Sequence, residues 1–189
     1  MRKLIVFNHV TLDGYFVSHN GDFTWARNNT DDPEYAAFES ENAKGDAELL
    51  FGRVTYDLMA KYWPTPIAAQ QAPTVAEGLN RMKKIVFSRT LDHASWANTR
   101  VIRGGDLIAE VRKLKNEPGP DMLIMGSGTI IAQLAPEGLI DEYQMMVDPV
   151  ALGSGRSMFE GIPQKLALRQ TKSRSFQSGK TFLCYEPAA

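Results

Sequence analysis

Cysteine is almost absent. A single Cys184 in 189 residues excludes an internal disulfide and any multi-cysteine metal site. Neither sign of charge dominates. Lys plus Arg is 21 and Asp plus Glu is 22, a net charge of −1, far from the strongly basic balance of a dedicated nucleic-acid binder. No apolar run approaches the roughly 18 residues of a membrane span. The opening Met1-Arg2-Lys3 leads into only a short apolar stretch, Leu4 to Phe7, too brief for a secretory signal. The sequon Asn28-Asn29-Thr30 thus has no secretory context, and the cytoplasm is the expected compartment. His9, His19 and His93 lack the spacing of a helical metal pair, so no metal is expected.

Familiar catalytic motifs are missing too. Gly126-Ser127-Gly128-Thr129-Ile130-Ile131 places Ile131 where the Rossmann fingerprint needs Gly or Ala. No phosphate loop is complete, since Arg174 stands where the Gly five residues before Gly179-Lys180-Thr181 would be, and there is no Gly-x-Ser-x-Gly nucleophile elbow.

What is present has the ordinary makeup of a globular chain, 43% apolar and 23% charged, and its length fits one α/β domain over residues 1–189. Leu4–Val10 reads as a strand closed by the turn Leu12-Asp13-Gly14, and residues 17–32 carry loop chemistry. Asp32-Pro33-Glu34 predicts a helix start, with a capping Asp, Pro in the first turn and an acid beside the dipole, running to Lys44. Strands are expected at Glu48–Phe51, Lys84–Phe87, Thr99–Ile102 and Met122–Met125. Helices are expected after Gly52, over 107–116 and from Gly128 through Leu134. Residues 64–80 show no clean period. From Ile140 the pattern turns to strands alone, at Tyr143–Val147, Leu166–Ser173 and Thr181–Tyr185. The order predicts a mixed, mostly parallel sheet ending in an antiparallel hairpin.

Small residues at strand-to-helix turns are the candidate chemistry. Gly52 precedes a helix whose first-turn N–H groups can hold a phosphate, with Arg53 and Thr55 adding a charge and a hydroxyl. A Gly before a helix also serves plain packing. Gly126, Ser127, Gly128 and Thr129 repeat the arrangement, and parallel strands bring both turns to the carboxyl edge of the sheet. Ser88, Arg89 and Thr90 end another strand. They suit either one further phosphate, such as the 2′-phosphate of NADPH, or a solvated turn.

Taken together, Leu12-Asp13-Gly14, Leu50 to Tyr56, Val86 to Leu91, Met125 to Gly128, Gly138 to Glu142 and Pro149 to Gly155 resemble the dihydrofolate-reductase-like superfamily. Within it the chain is similar to stand-alone homologues of the reductase domain of the bifunctional riboflavin-biosynthesis deaminase-reductase. The resemblance implies a three-layer fold and an oxidoreductase binding NADPH along the carboxyl edge. Gly52, Arg53 and Thr55 would then meet cofactor phosphates, and Ser88, Arg89 and Thr90 the 2′-phosphate. Gly126 to Thr129 would hold the pyrophosphate or ribose, and Gly153 and Gly155 would turn near the nicotinamide. It also implies a homodimer, to which Tyr143–Val147 could contribute. Two positions depart from the riboflavin reductases: Tyr15 replaces a Lys and Met125 replaces a Glu. Both changes remove charge from the pocket for a phosphorylated pyrimidine.

Hydride transfer needs chiefly orientation and a nearby proton. Asp13 is the candidate proton relay or substrate contact, or else only shapes its turn. Tyr15, Trp25, Tyr56 and Trp63 are candidate stacking partners for a planar substrate, or core caps. Glu39 and Glu41 lie on the segment where folate reductases carry a buried acid. The function expected is an NADPH-dependent reductase of a small pterin- or pyrimidine-like heterocycle. A nucleotide-binding or regulatory module without turnover, and an interaction scaffold without nucleotide, are the alternatives.

Overall fold

The computed structural model describes residues 1–27 and 31–188. The sequon at 28–30 lies outside the described residues. The elements in chain order are β1 (Leu4–Thr11), β2 (Tyr15–Ser18), a 3-10 turn (Thr24–Arg27), α1 (Pro33–Lys44), β3 (Glu48–Gly52) and α2 (Arg53–Tyr62). There follow α3 (Pro66–Gln71), α4 (Pro73–Arg81), β4 (Lys83–Phe87), β5 (Thr99–Ile102), α5 (Leu107–Asn116), β6 (Met122–Met125) and α6 (Gly128–Leu134). The chain ends in β7 (Glu142–Asp148), β8 (Gly155–Ser157), β9 (Leu168–Ser175) and β10 (Thr181–Pro187).

Eight strands form one sheet in the order β5-β4-β3-β6-β1-β7-β10-β9, parallel from β5 through β7. The terminal hairpin β9–β10 joins it antiparallel through β7. The mixed, mostly parallel sheet is therefore as expected. Near-continuous apolar strands such as Leu49-Leu50-Phe51 follow from burial on both faces, since successive side chains alternate sides. Leu50, Ile85 and Ile124 pack with Val111 and Leu114 of α5 and Ile131 and Leu134 of α6. Leu49, Phe51 and Val86, one residue out of phase, pack with Tyr56 and Met59 of α2 and Leu79 of α4. Tyr35 of α1 closes a third cluster over Met146, Phe176 and Phe182. The result is helix, sheet, helix.

Local chemistry explains the boundaries. Asp32 Oδ1 accepts the amides of Glu34 and Tyr35 and so caps α1. The stretch without a clean period, 64–80, holds two short helices begun by Pro66 and Pro73, the first capped by Thr65. Val17 and Ser18, expected in loop, belong to the strand Tyr15–Ser18. It pairs antiparallel with Gly155–Ser157 in a second small sheet.

β7 lies between β1 and β10 with both edges hydrogen-bonded, and Tyr143 and Met146 are fully buried. With both edges taken, Tyr143–Val147 could meet a second copy only through its partly exposed side chains, Gln144, Met145 and Val147. No helix among the described residues is long and apolar enough to cross a membrane, and no cluster of metal-ligating side chains occurs among them.

Candidate functional site

β3 and β6 are neighbours, with Leu50 level with Ile124. Two residues further on, Gly52 and Gly126 leave the sheet side by side at the same carboxyl edge. The turns are sewn together. Gly52 donates its N–H to Ser127 Oγ at 2.9 Å, and Ser127 donates its own N–H to Thr55 Oγ1 at 3.1 Å. Gly126 has φ +64, and a Cβ there would fall 2.7 Å from Thr55 Cγ2, so both conformation and close approach require glycine. Ser127 follows in the left-handed region at φ 56, an uncommon place for a residue with a side chain.

These bonds revise the phosphate reading in one respect. The amides of Gly52, Gly126 and Ser127 are spent inside the protein. Gly52 has no side chain to cap α2, so the first-turn amides of that helix are what this seam leaves for a ligand.

A cleft of about 1420 Å³ opens along this edge and extends over the sheet face between α1 and α2. Gly52, Arg53, Thr55, Ser88, Arg89, Gly126, Ser127, Gly128 and Thr129 all border it, so segments far apart in sequence do meet. Arg53 is turned along its own helix, 3.0 Å from Asp57, whereas Arg89 has no ion pair among the described residues. Ser88 Oγ accepts the amides of Thr90 and Leu91, which shapes the turn that carries Arg89.

Other expected residues lie elsewhere. Tyr56 is 1% exposed, in the core, where its hydroxyl accepts the Trp96 amide, so it cannot stack on a ligand. The start of the Tyr15 ring packs against Gly155 instead of the cleft. Trp25 and Thr90 do not border the cleft, while Trp63 does. The carboxylate of Asp13 accepts the amides of Leu152 and Gly153, the latter at 2.7 Å, and the hydroxyl of Thr11. Those bonds hold the acid to the loop entering β8, away from the cleft, and keep its carboxyl below the usual range. Gly153, at φ +72, belongs to the same clamp.

Sequence reasoning missed two groups. Asn8 Oδ1 accepts the Gly126 amide at 2.6 Å, fixing the β6 turn from the neighbouring strand. His9 borders the cleft, with Nδ1 2.7 Å from Asp148 Oδ2. Asp148 Oδ1 in turn accepts from Lys180 Nζ, and both members of that pair are about 98% buried by side chain. On α1, Tyr35 donates its hydroxyl to Glu39 Oε1 at 2.7 Å. Glu39 borders the cleft and Glu41 faces solvent, which settles the orientation of that segment. Phe7, Phe23, Phe38, Leu58 and Met125 give this end of the cleft apolar walls.

Residues 2–182 match the family model described as the RibD C-terminal domain. The chain belongs to that family. It is 30% identical to the uncharacterized Bacillus subtilis protein YyaP over 184 residues, covering 97% of this chain and 94% of that one. Among solved structures, a riboflavin biosynthesis protein from Shewanella sp. PV-4 superposes with TM-score 0.70 at 23% identity, covering 99% of both chains. The Thermotoga maritima deaminase/5-amino-6-(5-phosphoribosylamino)uracil reductase gives 0.67 at 14% identity, over 99% of this chain and 57% of that one. A dihydrofolate reductase from Enterococcus faecalis, solved with NADP(H), gives 0.60 at 15% identity, covering 99% and 97%. At such identities the superpositions establish a dihydrofolate-reductase-like fold for this RibD C-terminal domain.

Proposed function

We propose that this RibD C-terminal domain is an NADPH-dependent reductase that delivers hydride to a small planar heterocycle, pterin- or pyrimidine-like. The observation that carries the reading is the Gly52–Ser127–Thr55 seam. It leaves the uncapped start of α2 on the same cleft as Arg89, which has no ion pair among the described residues. The residues present fit the group. The α2 amides and the positive end of the helix suit the pyrophosphate, and Arg89 with Ser88 suits a 2′-phosphate. When bound, the cofactor supplies the hydride.

The rest of the cleft supports a flat substrate. Phe7, Phe38 and Met125 offer ring-sized apolar surface, and Glu39 is placed to accept from ring N–H groups. Tyr15, at the position where the riboflavin reductases carry Lys, does not border the cleft, and Met125 brings no charge to it. The substrate is therefore read as lacking the ribosyl phosphate of the riboflavin intermediate. The reading also includes a homodimer, to be checked by sedimentation.

Energy transfer from tryptophan to bound nicotinamide, measured for NADPH and NADH in parallel, is the test. Tighter binding of NADPH supports the reading, and binding of neither removes it. Binding with no reduction of any heterocycle would favour the nucleotide-binding module.

A further inference from the structure

Parallel pairing places Asp148 level with Thr11, two residues beyond His9 on the same face of the sheet. This diagonal explains how strands 139 residues apart bring His9 Nδ1 within 2.7 Å of Asp148 Oδ2. Asp148 is a carboxylate with both oxygens engaged, one by the Lys180 ammonium and one by His9. A carboxylate only accepts, so Nδ1 carries the proton and Nε2 is left as the free nitrogen. The imidazole side chain is 21% exposed and borders the cleft. Phe7 meets it edge-on at 5.7 Å, and Tyr35 covers the Lys180 ammonium at 5.1 Å. A fully buried Asp–Lys pair brings little stability over an apolar pair of the same size. Its consequence here is that the ring is held in one tautomer and one direction.

We propose that His9 is a catalytic proton-transfer residue of this cleft, with Asp148 and Lys180 as its positioning residues. The proposal rests on the reductase reading above and names the substrate bond as C=N or C=O in a planar ring. Nε2, free at rest, first takes a proton from solvent in the open cleft, and the imidazolium so formed gives that Nε2 proton to the ring nitrogen or oxygen while the adjacent carbon takes the hydride supplied by the reduced nicotinamide. One C–H and one N–H or O–H bond form, the π bond and the nicotinamide C4–H bond break, and the coenzyme leaves oxidised. His9 is left neutral, with Nε2 free again and the Nδ1 proton still directed at Asp148. Glu39, already accepting from Tyr35, serves as an acceptor for the substrate rather than as the acid.

The test uses the full chain labelled with ¹⁵N-histidine, with NADPH and with 7,8-dihydrobiopterin as the ring probe. Long-range imidazole spectra should show the His9 proton on Nδ1. The Asp148→Asn/Lys180→Met double variant, which leaves no unpaired buried charge, should lose that tautomer. Adding the probe should shift Nε2. His9→Gln should bind NADPH within about twofold of wild type and reduce the probe roughly 10²-fold more slowly or worse, the range for a lost general acid. A neutral His9 with its proton on Nε2 instead of Nδ1, an unmoved Nε2 in the presence of the probe, or a His9→Gln rate within about threefold of wild type would overturn the proposal. A shifted Nε2 without turnover removes the proton-transfer role. Failure of the wild type to bind NADPH refutes the reductase reading instead, and the tautomer remains measurable without it.

Discussion

Gly52 and Ser127 are joined by a hydrogen bond from the backbone amide of one to the side chain of the other, across two adjacent parallel strands. The bond makes one rigid seam of two turns that sequence reading treats as separate anion sites. It also settles which amides remain for a ligand.

The two glycines of the seam should respond differently to alanine. A Cβ at Gly52 would meet Ile130 Cδ1 at 3.6 Å and Ser127 Oγ at 3.7 Å, ordinary contacts on a backbone any residue can adopt. At Gly126 it would strike Thr55 in a left-handed conformation. Thermal or urea melts should place Gly52→Ala within about 1 kcal/mol of wild type. Gly126→Ala should be about 2–4 kcal/mol less stable, from left-handed strain plus overpacking. Equal losses would mean the seam is not asymmetric.

Arg89 should distinguish the two nicotinamide cofactors. If it meets a 2′-phosphate, Arg89→Ala weakens NADPH by about 1.5–3 kcal/mol, the range for hydrogen bonds to charged groups, and leaves NADH nearly unchanged. Paired binding isotherms check this. Parallel loss for both cofactors would move Arg89 to a shared phosphate or to none.

How much of this was readable beforehand depends on the range of the interactions. α1 was legible because Asp32, Pro33 and Glu34 act on their immediate neighbours. α3 was not, because a helix of six residues is too short to show a period. β2 was missed because its partner β8 lies some 140 residues on and both strands are short. That Gly52, Gly126, Ser88 and Arg89 share one edge could be read because all four end or follow parallel strands, the two glycines at strand-to-helix turns. The His9–Asp148–Lys180 chain could not, since it depends on the register between β1 and β7 and on the docking of the terminal hairpin. Tyr56 misled because an aromatic on the first turns of a helix reads the same whether it faces the cleft or the core.

Asp13 should behave as a clamp. Its carboxyl is held low first by the Thr11 hydroxyl and then by the Gly153 and Leu152 amides, with desolvation opposing. A depressed acid stabilises the fold above its unfolded value and loses that contribution as pH falls through the folded one. Asp13→Asn should therefore lower the melting temperature near neutrality, with the gap closing as pH drops below the ordinary aspartate range. Unchanged NADPH affinity should accompany it. A gap independent of pH would show that the charge is not what holds Leu152 and Gly153.

Lys84 makes the opposite linkage. Its side chain is 1% exposed, with the ammonium donating to the carbonyls of Met82 at 2.7 Å, Asn80 at 3.1 Å and Ala97 at 3.3 Å, over the Trp96 ring. Desolvation pulls its pKa down to about 8. Below that value the folded and unfolded chains are both protonated and the cost of burying the charge is constant. Between about 8 and the ordinary lysine value near 10.5 the unfolded chain binds the extra proton, so stability rises with pH. Urea melts of wild type and Lys84→Met from pH 7 to 10 isolate the contribution, because other lysines and tyrosines are common to both. The wild type should gain on the variant as pH increases through this window. A constant difference would mean that the three carbonyls hold the ammonium charged as firmly as water does.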